Sequence, residues 1–166
     1  MPKKSASLSA LSATYISVIM LSANGLFSQS ISFSALDITF HRSWIAFIVL
    51  TALVWYKEGN IKLNNTRDYG RAVLLGALLC IHWITFFKAM QVAGVATGMV
   101  ALYTYPILTA LIEPWFTKVR IDATDLISTA LVFVGIFLLI PGFDLSQSGF
   151  QGVLWGLISA LTFSLR

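Results

Sequence analysis

From residue 82 to residue 115 the chain carries the facing halves of two long apolar runs: residues 72–93 and 96–116 are separated by Gly94 and Val95 alone. A bilayer-spanning helix needs about 20 mostly apolar residues, and each run supplies that. A water-soluble domain would leave too much of this surface unburied. In lipid the same stretch is a helical hairpin, with its backbone groups satisfied inside each helix. The few polar groups within it, such as Lys88 and the run Tyr103-Thr104-Tyr105, are costly in hydrocarbon and mark places where something other than lipid is met.

The rest of the chain repeats the pattern. Further apolar segments cover residues 8–29, 37–56, 125–143 and 149–165, which makes six in 166 residues. Only 11% of the residues are charged against 57% hydrophobic, where soluble domains carry about a quarter charged. The expected fold is therefore all-α, a multi-pass transmembrane helical bundle of about six helices. Basic residues sort by connection. Lys3, Lys4, Lys57, Lys62, Arg67, Arg71, Lys118, Arg120 and Arg166 all fall on one side of a six-span arrangement, and the opposite links hold no Lys or Arg. The positive-inside rule makes that side cytoplasmic, the N-terminus included, and points to the cell membrane. It also accounts for a net charge of +4 without nucleic acid as a partner.

Met1-Pro2-Lys3-Lys4 before an apolar run loosely resembles a signal peptide. The run continues past Ala23 to Phe27, however, which favours an uncleaved first helix. Cys80 is the single cysteine and is expected to pack as a small apolar side chain. Small residues recur every four positions at Ser9, Ala13 and Ser17, and again at Gly152, Gly156 and Ala160. Such stripes permit close helix contact.

Two basic residues lie inside spans, Arg42 and Lys88. At the helical rise both fall roughly 8 Å in from the outer ends of their helices, and Asn24 lies in the same outer half. His82 and Trp83 sit near the middle of the third segment, and Tyr103, Tyr105 and Pro106 near the middle of the fourth. In one reading the cations extend along their apolar stems to the headgroups, His41 is interfacial, and His82 is a hydrogen-bonded core residue. In the other, Arg42 and Lys88 face a central cavity holding an anionic or zwitterionic organic solute, with Asn24, His82, Trp83, Tyr103 and Tyr105 around it. Tyr103 and Tyr105 are too deep for an interfacial aromatic belt, which favours the cavity for at least one of them. Pro106 removes a backbone donor in mid-span, as a hinge or as a fixed kink. Glu113-Pro114 reads as the inner end of the fourth helix, and Gly94-x-x-x-Gly98 as the packing surface of the outer turn. There is no metal-ligand spacing, phosphate-cradling glycine loop or Gly-x-Ser-x-Gly elbow. His41, His82 and Glu113 lie at different depths. Neither a metal, a cofactor nor an enzyme's group set is expected.

Taken in order, these residues resemble the EamA-type members of the drug/metabolite transporter superfamily. The resemblance runs through Asn24-Gly25-Leu26-Phe27, Arg42 early in the second helix, and His82-Trp83-Ile84-Thr85-Phe86-Phe87-Lys88-Ala89-Met90. It continues with the short turn, Pro106, Glu113, Gly135 and Pro141-Gly142. It implies ten helices in two inverted five-helix repeats around a solute cavity, working by alternating access. On that pattern residues 1–10 are a cytoplasmic N-terminus, 11–143 one five-helix repeat, and 149–166 the first helix of an incomplete second repeat, as in a truncated chain. Two functions compete. One is a secondary carrier for a small organic metabolite or drug-like solute, completed by a second repeat or as a homodimer. The other is a non-transporting integral membrane subunit that assembles with other helices. Membrane lipid is a partner in both.

Overall fold

The computed structural model describes residues 4–60, 62–63, 65–117, 123–139 and 148–166, with some side chains near the start and along the sixth segment outside that description. Seven helical segments follow one another among these residues: α1 (Lys4–Ser30), α2 (Ala35–Glu58), α3 (Thr66–Ala93), α4 (Val95–Leu102), α5 (Tyr105–Thr117), α6 (Ala123–Leu139) and α7 (Ser148–Ser164). Because α4 and α5 continue one another across a break, they make six rods, one for each apolar segment. The α2 helix, the α3 helix and the α4–α5 rod are each long and apolar enough to cross a membrane. The protein is an all-α membrane bundle.

The ends of the rods are written locally. Ser34 opens α2 with a capping box: Asp37 N–H donates to Ser34 Oγ (3.2 Å), and Ser34 N–H donates to the Asp37 carboxylate (3.2 Å). Each bond satisfies an N–H that the first helical turn leaves without a carbonyl. Gly59 ends α2 at φ 63°, donating to Trp55 O, a conformation glycine adopts without a Cβ penalty. Asn65 caps α3 by accepting from Arg67 N–H at 3.2 Å. At the hairpin turn Gly94 adopts φ 86° and donates to Met90 O at 2.9 Å, and Gly98 donates back to Gly94 O at 3.1 Å. A Cβ on Gly98 would meet Met90 Cγ at 2.7 Å and Met90 N at 3.0 Å. The Gly-x-x-x-Gly spacing thus lets α3 and α4 close on each other, as the sequence indicates.

The fourth rod differs from the expected unbroken helix. It breaks at Tyr103 and Thr104, where Thr104 Oγ1 donates to Ala101 O (2.7 Å) and Thr104 O accepts from Ile107 N and Leu108 N (both 3.1 Å). Pro106 explains the position. Its ring clashes with the carbonyl four residues back and disfavours helical backbone at the residue before it. Pro106 therefore occupies the first turn of α5, where a missing N–H costs little. Pro114, read as a terminator, lies inside α5, which runs on to Thr117.

The bundle is built on α3. Its most extensive packing is with α7, which also lies along α4; α2 packs on another face of α3. The seam with α7 is made by missing side chains. A Cβ on Gly152 would overlap Ala93 Cβ and lie 3.2 Å from Ala89 O, and one on Gly156 would overlap Ala101 Cβ. Close backbone approach is what associates helices in lipid, where apolar surface gains nothing by leaving its solvent. On the α2 side Ala35, Phe86, Phe87 and Met90 form the buried apolar cluster. Elsewhere α2 is clad in exposed apolar side chains, Trp44 at 56% and Trp55 at 65%, which suits a helix facing hydrocarbon.

Two small expectations fail. Ala13 and Ser17 on α1 are exposed, with Ser17 Oγ donating to its own helix at Ala13 O (2.8 Å), so the α1 stripe makes no close seam there; the Ser9 side chain is outside the description. Cys80 is exposed rather than packed. Both face outward from rods that have more perimeter than neighbours to cover it.

Candidate functional site

The site grows from one face of α3. His82, Trp83, Phe86, Phe87 and Met90 recur at three- and four-residue intervals, the spacing that puts side chains on one side of a helix. Trp83 stacks near-parallel on Phe87, with centroids 5.6 Å apart and planes at 26°. Over the Trp83 ring lies the guanidinium of Arg42, its carbon 3.7 Å from the centroid. A planar cation on an indole face is attracted by the ring quadrupole, by about 2 kcal/mol or more when desolvated. Arg42 is only half-exposed. So α2 delivers a fixed positive charge onto α3 within the membrane-spanning region.

His82 sits beneath this pair. Its side chain is 2% exposed. Its Nδ1–H donates to Ser159 O (3.1 Å) and Ser159 Oγ (2.8 Å), while Ser159 Oγ–H donates to His82 O (3.0 Å). The ring stacks on Phe86 at 6.0 Å and contacts Trp83 and Phe163 at 5.1 and 4.8 Å. This is the hydrogen-bonded core histidine, and it sews α3 to α7. Phe163 carries the aromatic contact on to Tyr105, edge-on at 4.7 Å, and Ser164 Oγ donates to Tyr105 O at 3.0 Å. A chain of rings therefore links Arg42 to the start of α5.

Beside Arg42 opens a groove of about 640 Å³ along α2. Its walls include Phe33, Ile38, Ile45 and Val49, with Phe87 from α3, and its polar side chains are those of His41 and Arg42. His41 stacks on Phe33 at 5.9 Å, and its Nδ1–H donates to Asp37 O at 2.8 Å. A second groove, about 560 Å³, lies between α5 and the end of α7 and includes Glu113 and Arg166.

The expected residues divide. Arg42, Trp83 and His82 come together, and Tyr105 joins them through Phe163. Lys88 does not. Its side chain is exposed, with no hydrogen-bond or ion-pair partner among the described residues. Five residues separate it from Trp83, and at 100° per residue that turns it about 140° away. Tyr103 is 61% exposed. Asn24 lies in α1, and its side chain is outside the described residues. Among the described residues no three His, Cys, Asp or Glu side chains are grouped as a metal would need. Ser159 and Phe163 are the participants the sequence did not single out. The signal was present for Ser159, which sits on the Gly152-Gly156-Ala160 stripe where a small residue meets α3.

A model of the EamA-like transporter family matches residues 8–140. Over 155 residues the chain is 24% identical to the "Uncharacterized transporter YxxF" of Bacillus subtilis (strain 168). That match takes in 90% of this chain and 49% of that protein, so the chain spans about half the length of this relative. No solved structure matches the chain. With most of its length inside one family model and its helices arranged as a membrane bundle, the chain belongs to the EamA-like transporter family, of the drug/metabolite transporter kind.

Proposed function

We propose that the chain supplies half of the solute path of a secondary carrier, which moves a small organic metabolite or drug-like solute across the cell membrane by alternating access. The observation that carries this reading is Arg42, a half-buried cation stacked at 3.7 Å on Trp83 beside an open groove. A charge in mid-helix costs about 2.5–3.5 kcal/mol in hydrocarbon, and a role in meeting solute is the usual compensation. The other half of the path comes from a second repeat or a second copy of the chain, in keeping with a relative twice as long. Lys88 and Tyr103, both exposed here, face that half, and Asn24 contributes from α1. The break before Pro106 is the hinge about which α5 swings. The N-terminus lies on the cytoplasmic side, which the basic α2–α3 link supports.

The test is counterflow of candidate organic solutes in proteoliposomes holding the complete assembly, with Arg42→Gln and Lys88→Gln beside the parent. Arg42→Gln is expected to reduce flux at least tenfold, on the order of one lost charge-assisted contact. Undiminished flux in both variants would remove these cations from the path. A non-transporting membrane subunit is the second reading, favoured by the broad apolar surface of α2 as a face for foreign helices. Stable assembly without flux of any solute would select it.

A further inference from the structure

The groove beside Arg42 is one-signed, and that restricts what it can hold. Arg42 is the one charged side chain among the described residues that line it. His41 spends its Nδ1–H on Asp37 O at 2.8 Å, so its neutral ring offers the groove an acceptor nitrogen and no N–H. The nearest carboxylate, Asp37, is not part of the lining. It accepts from Ser34 N–H (3.2 Å) and Ser34 Oγ–H (2.7 Å) in the helix cap. An ammonium group entering here would meet a guanidinium and no anion. A dianion would bring one negative charge more than the walls can match. The rest of the surface, Phe33, Ile38, Ile45, Val49 and Phe87, is apolar, and about 640 Å³ lies within the roughly 300–1,000 Å³ of small-molecule sites.

We infer that the solute is a monoanionic carboxylate with an apolar body and no amino group, its carboxylate taken by Arg42 and its body laid along Ile45 and Val49. The inference rests on the transport reading for its meaning as a substrate class, but its binding claim stands apart from flux. Trp83 fixes one face of the guanidinium, so its edge is the side presented to a carboxylate, which a planar fork meets with two parallel hydrogen bonds. A lysine here would lack both the stacking and the fork.

Three probes sharing one ring separate the charge classes: indole-3-acetate (anion), tryptophan (zwitterion) and tryptamine (cation). Radiolabelled indole-3-acetate would be bound to the full chain in lipid nanodiscs, with the other two as competitors, and flux of all three measured in proteoliposomes. Indole-3-acetate is expected to bind roughly tenfold or more tightly than tryptophan, with tryptamine not competing. Arg42→Gln should weaken indole-3-acetate roughly ten- to a hundredfold and erase its advantage over tryptophan. Ala46→Trp, which fills the groove and leaves the charge, should abolish binding, so the claim stays testable if Arg42→Gln does not fold. Equal or tighter binding of tryptophan overturns the inference. So does a groove held by co-purified phospholipid that indole-3-acetate fails to displace, or no binding of any probe above empty nanodiscs. Ordered binding without flux overturns the transport reading and leaves the ligand class standing. Flux that favours tryptophan does the reverse.

Discussion

Alanine placed at two glycines of this bundle should change stability in opposite directions. Gly76 lies on the exposed side of α3, and a Cβ there meets nothing within 4 Å. Gly76→Ala removes backbone freedom from the unfolded chain and should stabilise by roughly 0.5–1 kcal/mol. Gly152 lies in the seam with α3. There the new methyl overlaps Ala93 Cβ and presses on Ala89 O at 3.2 Å and Ala93 Cα at 3.3 Å. Two of those three atoms are backbone or carbonyl, so the helices themselves must part by roughly 1 Å to restore contact distance. Overpacking of that kind costs about 1–3 kcal/mol. Parting α7 from α3 also stretches the Ser159–His82 bonds, now 2.8 and 3.0 Å, toward the limit of useful geometry. Interhelical hydrogen bonds in membranes contribute about 0.6 kcal/mol on average and up to about 1.7. Gly152→Ala should therefore destabilise by about 2–4 kcal/mol. Reversible unfolding in mixed micelles against mole fraction of sodium dodecyl sulfate, followed by tryptophan fluorescence, reads both changes. If Gly152→Ala falls within 0.5 kcal/mol of the parent, or Gly76→Ala loses as much as Gly152→Ala, then α7 is not seated on α3 through its glycine stripe.

Other expectations follow from the same geometry. Ser159→Ala removes the two hydroxyl bonds but leaves His82 Nδ1–H its carbonyl partner at 3.1 Å, so a loss of about 0.6–1.7 kcal/mol is expected in the same unfolding assay, smaller than for Gly152→Ala. A double-mutant cycle of Arg42→Gln with Trp83→Leu should show a coupling of about 0.5–2 kcal/mol; additive losses would mean that the stacked pair contributes nothing. With Cys80→Ser as background, a cysteine at Asn60 or Leu63 should react with a membrane-impermeant maleimide only from the cytoplasmic face. Reaction on intact cells would reverse the orientation assigned from the basic residues.

What could be read from the sequence was length and depth; what could not was rotation. The bilayer fixes how many apolar residues a rod needs, so six segments became six rods. Glycine has a use that sequence alone exposes, and Gly59, Gly94, Gly98, Gly152 and Gly156 sit at turns or seams. Depth placed Arg42 and Lys88 in one layer, and nothing in spacing along two different helices says which way each is turned. The decision is made on α3 itself. Once His82 and Phe86 are committed to α7 by the Ser159 bonds, and Phe87 and Met90 to Ala35 on α2, the azimuth of every other residue on that helix follows at 100° per step. Trp83 then falls under Arg42, and Lys88 falls on the open side. The pairing of Arg42 with an aromatic ring in place of a second cation is a consequence of a serine on α7, a residue about 75 positions further along the chain. For the same reason Pro106 was legible as a disruption but not as a boundary: its ring dictates a break one turn earlier, and the Thr104 hydroxyl, which takes the Ala101 carbonyl at 2.7 Å, settles which peptide yields. A solute that bridges Arg42 to Lys88 would therefore have to pass around α3, whereas one that binds Arg42 alone already has its groove.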